Sequence, residues 1–186
     1  MRYPVLPAVT FILAVAAMAM VQPAQAKTPR VSEILTNNGF QTLLFALDTT
    51  GLTAVLDENR VVLFAPTDDV FDATAEALGC ADVLELATNL LNTPVGDTNA
   101  LAYVLSYHAY LGRFRNDYDL LSAGELQMAS GDNVSVGVGQ NGLYVQGAVN
   151  DTPSTLTTES IRARKGSSVY AIDRILLPID PTGICD

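Results

Sequence analysis

The sequence predicts an α+β fold, and three observations predict it. Apolar residues in the first half recur at helical spacing. Strict alternation and a turn dipeptide mark a hairpin in the second half. Strands and helices do not alternate regularly, as a parallel doubly wound sheet would require.

The elements follow in order. Ser32 is placed to cap a short turn carrying Ile34 and Leu35. Phe40, Leu43, Leu44 and Leu47 fall at i, i+3, i+4 and i+7, one apolar stripe of a helix, with Gly51 as its left-handed terminator and Leu52 to Leu56 as one more turn. Val61 to Ala65 is a continuous apolar run, the signature of a strand covered on both faces. Pro66 stops it because proline has no N–H for a ladder. Thr67 is placed to cap the next helix, whose first turn holds Asp68 and Asp69. Asp82 caps another helix carrying Val83, Leu86 and Leu90.

A stronger helix is expected from Asn99 to Leu111, with Leu101, Val104, Leu105 and His108 on its stripe. Val134, Val136 and Val138 then alternate with small residues. Gln140-Asn141-Gly142 is a turn signal, and Leu143-Tyr144-Val145 pairs back. Leu156 to Ala163 reads as a polar strand, and Val169 to Leu177 as the last one, closed by Pro178. There is no internal repeat.

The first 26 residues stand apart. Arg2 is their only charge, Ala8 to Val21 is apolar except for Thr10, and Ala24-Gln25-Ala26 has the form of a cleavage site. This is the order of a secretory signal. Its core of about 14 residues falls short of the roughly 20 that span a bilayer. The remainder, 27–186, suits one domain that does not span the membrane after cleavage; retention of the segment as an anchor is the alternative. The expected location is secreted, periplasmic or cell-surface. From Lys27 onward there are nine basic and 20 acidic residues, so the net charge is 9 − 20 = −11. Such a chain repels phosphate backbones, which excludes nucleic acid as an expected partner. Cys80 and Cys185 are the only cysteines. In an exported chain an even pair predicts a disulfide, here tying the C-terminal tail to the body.

Three stretches, in this order and spacing, resemble the fasciclin domain. The first is Val61 to Phe71, a strand followed by Ala65-Pro66-Thr67-Asp68 and then an aromatic one turn into a helix. The second is Tyr107-His108, similar to the family's Tyr-His motif. The third is Gly166 to Pro178, similar to its closing strand with the ending Ile172-Asp173-Arg174-Ile175-Leu176-Leu177-Pro178. The resemblance extends from about Val31 to Pro178. It implies a small wedge of β-sheet packed on several helices, an extracellular or envelope setting, a role in cell adhesion or matrix contact, and no enzymatic activity. It makes Phe64, Pro66, Thr67, Asp68, Phe71, His108 and Asp173 structural positions. Two departures stand out. Ala109-Tyr110-Leu111-Gly112 replaces the family's frequent Val-Val-Pro-Gly. Ser160-Ile161 replaces an Asp-Ile pair that some adhesive members use for receptors, so receptor binding is not carried over.

The remaining chemistry is sparse. His108 is the only histidine and lies on an apolar stripe, without a G-x-S-x-G motif or a facing hydroxyl; a core role outweighs a hydrolytic one. No cofactor is expected. Asp68 and Asp72, at i and i+4, are placed for capping or for a Ca²⁺ ion, but the chain lacks a Ca²⁺-loop signature. Asp117 and Asp119 form a second acidic pair in the loop after the histidine helix. Arg162 and Arg164 share one face of the expected strand beside Lys165. They fit an edge guarded by charge or a grip on a glycan carboxylate or sulfate. Asn133 and Asn150 stand in glycosylation sequons. Tyr103, Tyr107 and Tyr110 form a stripe of their own, which fits either a contact surface or the core boundary. The leading expectation is an exported binding module. Its partner is a protein or surface polysaccharide of envelope or matrix, met through Tyr103, Tyr107, Tyr110, Asp117 and Asp119. The alternative is an envelope protein that binds a small ligand or Ca²⁺.

Overall fold

A continuous apolar strand in the middle of the chain organises everything around it. The computed structural model describes residues 27–157 and 159–185; the expected signal segment, 1–26, lies outside the described residues. Strand β1 (Val61–Pro66) is buried at every position, as its unbroken run requires, because both of its faces are covered. It pairs in parallel with β10 (Ser168–Ile172), with Val62 opposite Ser168 and Pro66 opposite Ile172. On its other side it pairs antiparallel with β4 (Ala109–Leu111), with Val61 opposite Leu111. Strand β9 (Ile161–Arg162) closes the sheet as its outer strand, in the order β4-β1-β10-β9.

Helices cover one face of this sheet. They are α1 (Val31–Asn37), α2 (Gln41–Thr49), α3 (Leu52–Glu58), α4 (Asp68–Ala77), α5 (Val83–Asn92) and α6 (Ala100–Tyr107). A short ribbon of β2 (Pro94–Val95) and β3 (Thr98–Asn99) joins α5 to α6. A second antiparallel sheet has the order β5-β6-β7-β8, from β5 (Glu125–Gln127), β6 (Asn133–Gly139), β7 (Gly142–Gln146) and β8 (Ser154–Thr155). Helix α7 (Asp117–Ala123) leads into it. The α+β class is therefore observed, with two apolar cores. Leu43, Leu47, Leu63, Val104, Leu105 and Val169 belong to the helical side. Val62, Phe64, Tyr107, Val134, Tyr170 and Leu176 belong to the side of the second sheet. Alternate residues of β1 feed the two cores, as the period of a strand dictates.

Several expected boundaries move. Gly51, at φ 73°, ends α2 in the left-handed conformation as expected, while the single turn expected over 52–56 extends to Glu58 as α3, with Gly51 as its N-cap. The helix expected to reach Leu111 stops at Tyr107, because Ala109 to Leu111 pairs with β1 instead. The last strand stops at Ile172, where Asp173 turns to bind β8. The polar strand expected over 156–163 shrinks to Ile161–Arg162 with a bridge from Leu156 to Ile172. Ser32 does not cap α1, whose N-cap is Arg30; its hydroxyl and amide bind Asp57 instead. The hairpin is as expected, with Val136 opposite Val145 and Val138 opposite Leu143 across a turn at Gln140-Asn141.

Candidate functional site

The three stretches that carry the family resemblance meet at His108. Its backbone carbonyl accepts from the Phe64 amide at 2.9 Å. Its Nδ1 lies 2.7 Å from the Val104 carbonyl, and its Nε2 lies 2.9 Å from the Leu176 amide. A carbonyl accepts only and an amide donates only, so Nδ1 carries the proton and Nε2 is bare. Both ring nitrogens are satisfied in the neutral form alone. Burial pushes the pKa down to about 4, against a smaller opposing pull from the Val104 carbonyl. A ring so enclosed has no free nitrogen with which to take a proton from a substrate or a hydroxyl.

The other motif residues brace the same nucleus. Phe64 stacks on Tyr170 with ring centroids 5.9 Å apart. Pro66 and Phe71 are buried. Thr67 is the N-cap residue of α4, but its side chain makes no capping bond. Asp68 caps a different helix: its carboxylate accepts from the amides of Gln41 at 3.2 Å and Thr42 at 2.7 Å, in the first turn of α2. This ties the helix before β1 to the helix after it. With Asp68 turned to α2, Asp69 and Asp72 are exposed. Among the described residues no group of three His, Cys, Asp or Glu side chains is placed to hold a metal. Asp173 accepts from the Thr155 amide at 2.7 Å and locks β8 to the end of β10.

The tyrosine stripe divides. Tyr103 lies on α6, partly exposed, and its hydroxyl donates to Asp132 at 2.6 Å; that bond and partial burial raise its pKa. Tyr107 is a correction: it is fully buried and offers nothing to a partner. Its hydroxyl donates to the Asn133 carbonyl at 2.8 Å and accepts from the Ala148 amide at 2.9 Å, so one phenol stitches α6 to the second sheet. Tyr110 is no longer on the helix. It sits in β4 and stacks on Phe114 at 5.2 Å. Asp117 and Asp119 are in α7, not in a loop. Asp117 accepts from the Tyr170 hydroxyl at 2.9 Å; burial, then this bond, push Tyr170 up to about 12. Asp119 takes a hydrogen bond from Arg115 at 3.0 Å, which holds its carboxyl below the usual range.

Sequence reasoning passed over Tyr118, between those two aspartates. It is 75% exposed, the most of any large apolar side chain described, and Leu111 on the same segment is 58% exposed. Its signal was an aromatic set among charges after the N-cap residue Asn116. Also unforeseen is a cavity of about 350 Å³ between α2, α4, α5 and α6. It is lined almost wholly by apolar groups such as Leu43, Phe71, Leu86 and Leu105. The C-terminal tail covers one side through Ile179, Pro181 and Ile184. The Cys80–Cys185 disulfide, with Cα atoms 5.1 Å apart, fastens that tail. Of the basic cluster, Arg162 lies on the outer strand β9, while Arg164 and Lys165 occupy a 3₁₀ turn and share no strand face.

The Fasciclin domain family matches residues 38–178. No curated protein matches the chain at a significant level. Among solved structures, a FAS1 domain pair from the insect cell adhesion molecule fasciclin I is similar, with a TM-score of 0.60 and 14% identity. The match covers 80% of this chain and 51% of that one, so this chain spans about half of the pair.

Proposed function

The chain belongs to the fasciclin domain family, and from that membership we propose that it is an exported, non-enzymatic module that holds a partner protein or surface polymer of a cell envelope or matrix. Export is supported by the signal-like first 26 residues and by the disulfide, which suits an oxidising compartment. The absence of catalysis is supported by the lone histidine, whose nitrogens are both engaged in the core.

One observation carries the contact surface: Leu111 and Tyr118 stand out from the segment that also holds Tyr110 and Asp119. Tyrosine at such a place gives rigid apolar area with a polar tip, the type of side chain that dominates binding energy at interfaces. Tyr103 lies on the helix that leads into this segment. The test is attachment of the purified protein to envelope or matrix preparations of the producing cell. Leu111→Ser with Tyr118→Ser should abolish attachment while circular dichroism stays unchanged. Attachment that survives both changes refutes this surface.

A second reading, a small-ligand protein, is favoured by the cavity. Its volume falls within the ~300–1,000 Å³ of small-molecule sites. No charged side chain lines it, so the ligand class is neutral and apolar. Saturable binding of N-phenyl-1-naphthylamine, lost in Ala87→Trp, would support this reading. A failure to saturate would remove it.

A further inference from the structure

The described chain has nine basic residues: Lys27, Arg30, Arg60, Arg113, Arg115, Arg162, Arg164, Lys165 and Arg174. All but Lys27 and Arg174 gather at one end of the first sheet, although they come from four separate places in the sequence. The register shows why. Val61, next to Arg60, opposes Leu111, which precedes Arg113 and Arg115. Ser168, which follows the Arg164–Gly166 turn, opposes both Val62 and Arg162. The Arg60 Nε donates to the Lys165 carbonyl at 3.0 Å. Arg162 donates from its two terminal nitrogens to the carbonyls of Phe114 and Arg115. The Arg164 amide donates to the Pro29 carbonyl at 2.8 Å, which brings in Arg30. A Cβ on Gly166 would lie 3.7 Å from the Arg113 Cδ and 4.0 Å from the Arg60 Nε, so both side chains flank that turn.

These charges are poorly neutralised. Among the described residues only Arg30, with Glu33 at 4.0 Å, and Arg115, with Asp119 at 3.0 Å, have a carboxylate partner. Arg162 and Lys165 donate to backbone carbonyls, which satisfy hydrogen bonds but leave the charge. All but Arg164 are exposed, and it is partly so. Lys165 also has φ 62°, the only positive φ of a non-glycine residue described. That backbone is strained for a lysine and not for glycine, and such strain concentrates at functional places. On a body of net charge −11, crowding the cations at one end works against stability unless an anion meets them.

We infer that this end, formed by Arg60, Arg113, Arg162, Arg164 and Lys165, is a docking surface for an acidic polysaccharide, which names the polymer's chemistry within the surface-binding reading above. Six of the seven cations are arginine, whose planar fork matches carboxylate or sulfate two bonds at a time, and among the described residues Arg60, Arg113 and Arg164 have no carboxylate partner. Carboxylates borne one per sugar reach separate forks in turn. A stiff nucleic-acid duplex would run on past the patch along the acidic body. The disulfide also suits the compartment where polysaccharides are the surface polyanions.

The test measures binding of the full chain to immobilised polygalacturonate, with dextran, poly-glutamate and a DNA duplex beside it. The expected result is binding to polygalacturonate that weakens steeply between 20 and 200 mM salt, with none to dextran. Arg113→Gln with Arg164→Gln should weaken it at least about tenfold, by loss of two charge-assisted contacts. Arg113→Lys with Arg164→Lys, which keeps the charge, should restore most of it. No binding, or binding that the glutamine variant leaves intact, overturns the inference; so does equal or tighter binding to poly-glutamate or DNA. The Leu111→Ser, Tyr118→Ser protein separates the readings. If it loses attachment while polygalacturonate never binds, adhesion stands and the basic end plays no part in it.

Discussion

Lowering the pH should unfold this protein partly through a single imidazole. In the folded state His108 is neutral and doubly bonded, with its pKa pushed down to about 4 by burial. In the unfolded chain it returns to about 6.5. The unfolded state therefore takes up a proton that the folded state refuses. Stability from this group is complete above pH 6.5 and is lost as the pH falls toward 4. The gap of about 2.5 units, at 1.36 kcal/mol each, gives about 3 kcal/mol. The geometry agrees with the sign: a proton on Nε2 would face the Leu176 N–H, so two donors would meet at 2.9 Å. Urea denaturation at pH 8, 7, 6, 5 and 4 measures the effect. Carboxylates also titrate, so the quantity of interest is the difference between the native chain and His108→Asn, in which the group cannot titrate. That difference should shrink by about 3 kcal/mol across the window. An NMR titration of the folded protein is the direct check. An imidazole that titrates near 6.5 while the fold is intact would refute the reasoning.

Three other perturbations address separate links. Replacing Cys80 and Cys185 by alanine releases a span of 105 residues and should cost about 4 kcal/mol, lowering Tm by roughly 10 °C in calorimetry. Tyr107→Phe removes only a hydroxyl, yet leaves the Ala148 amide and the Asn133 carbonyl without that partner; denaturant midpoints should report a loss of about 1–3 kcal/mol. Asp68→Ala should cost about 1–2 kcal/mol because two amides of α2 lose their acceptor, and Asp68→Asn should recover much of it. Increased hydrogen exchange in the Asp68→Ala protein should centre on Gln41 and Thr42, not on the first turn of α4.

How much of this was legible depends on the range of the interaction. The hairpin was readable because alternation and Asn141-Gly142 are local facts. Strand β1 was readable because an apolar run with no polar face must be covered on both sides. Helix ends were less so. Whether Ala109 to Leu111 continues α6 or pairs with β1 is a contest between local propensity and a distant strand, and pairing wins. Asp68 looked like a first-turn residue of its own helix, and only the approach of α2 makes it a cap for another. Tyr107 stood at a spacing shared by contact stripes and core stripes. The second sheet, which presents the Asn133 carbonyl and the Ala148 amide, places it in the core. The cavity had no signal, since its walls come from four helices and the tail.

The basic end shows the same point from the functional side. Arg162, Arg164 and Lys165 are neighbours in sequence and were readable as a cluster. Arg60 and Arg113 join them only because β1 lies between β4 and β10. The pairing that sets this arrangement is anchored farther along the same strands, where His108 receives the Phe64 amide with its carbonyl and the Leu176 amide with its ring. One end of the sheet is thus a buried nucleus in which every polar group of the histidine is satisfied, and the other end is a set of cations held in register by it. A histidine with both ring nitrogens bonded in the core thus helps to set where the charges converge. Loss of that nucleus should therefore disperse the polyanion site in the same transition that unfolds the domain.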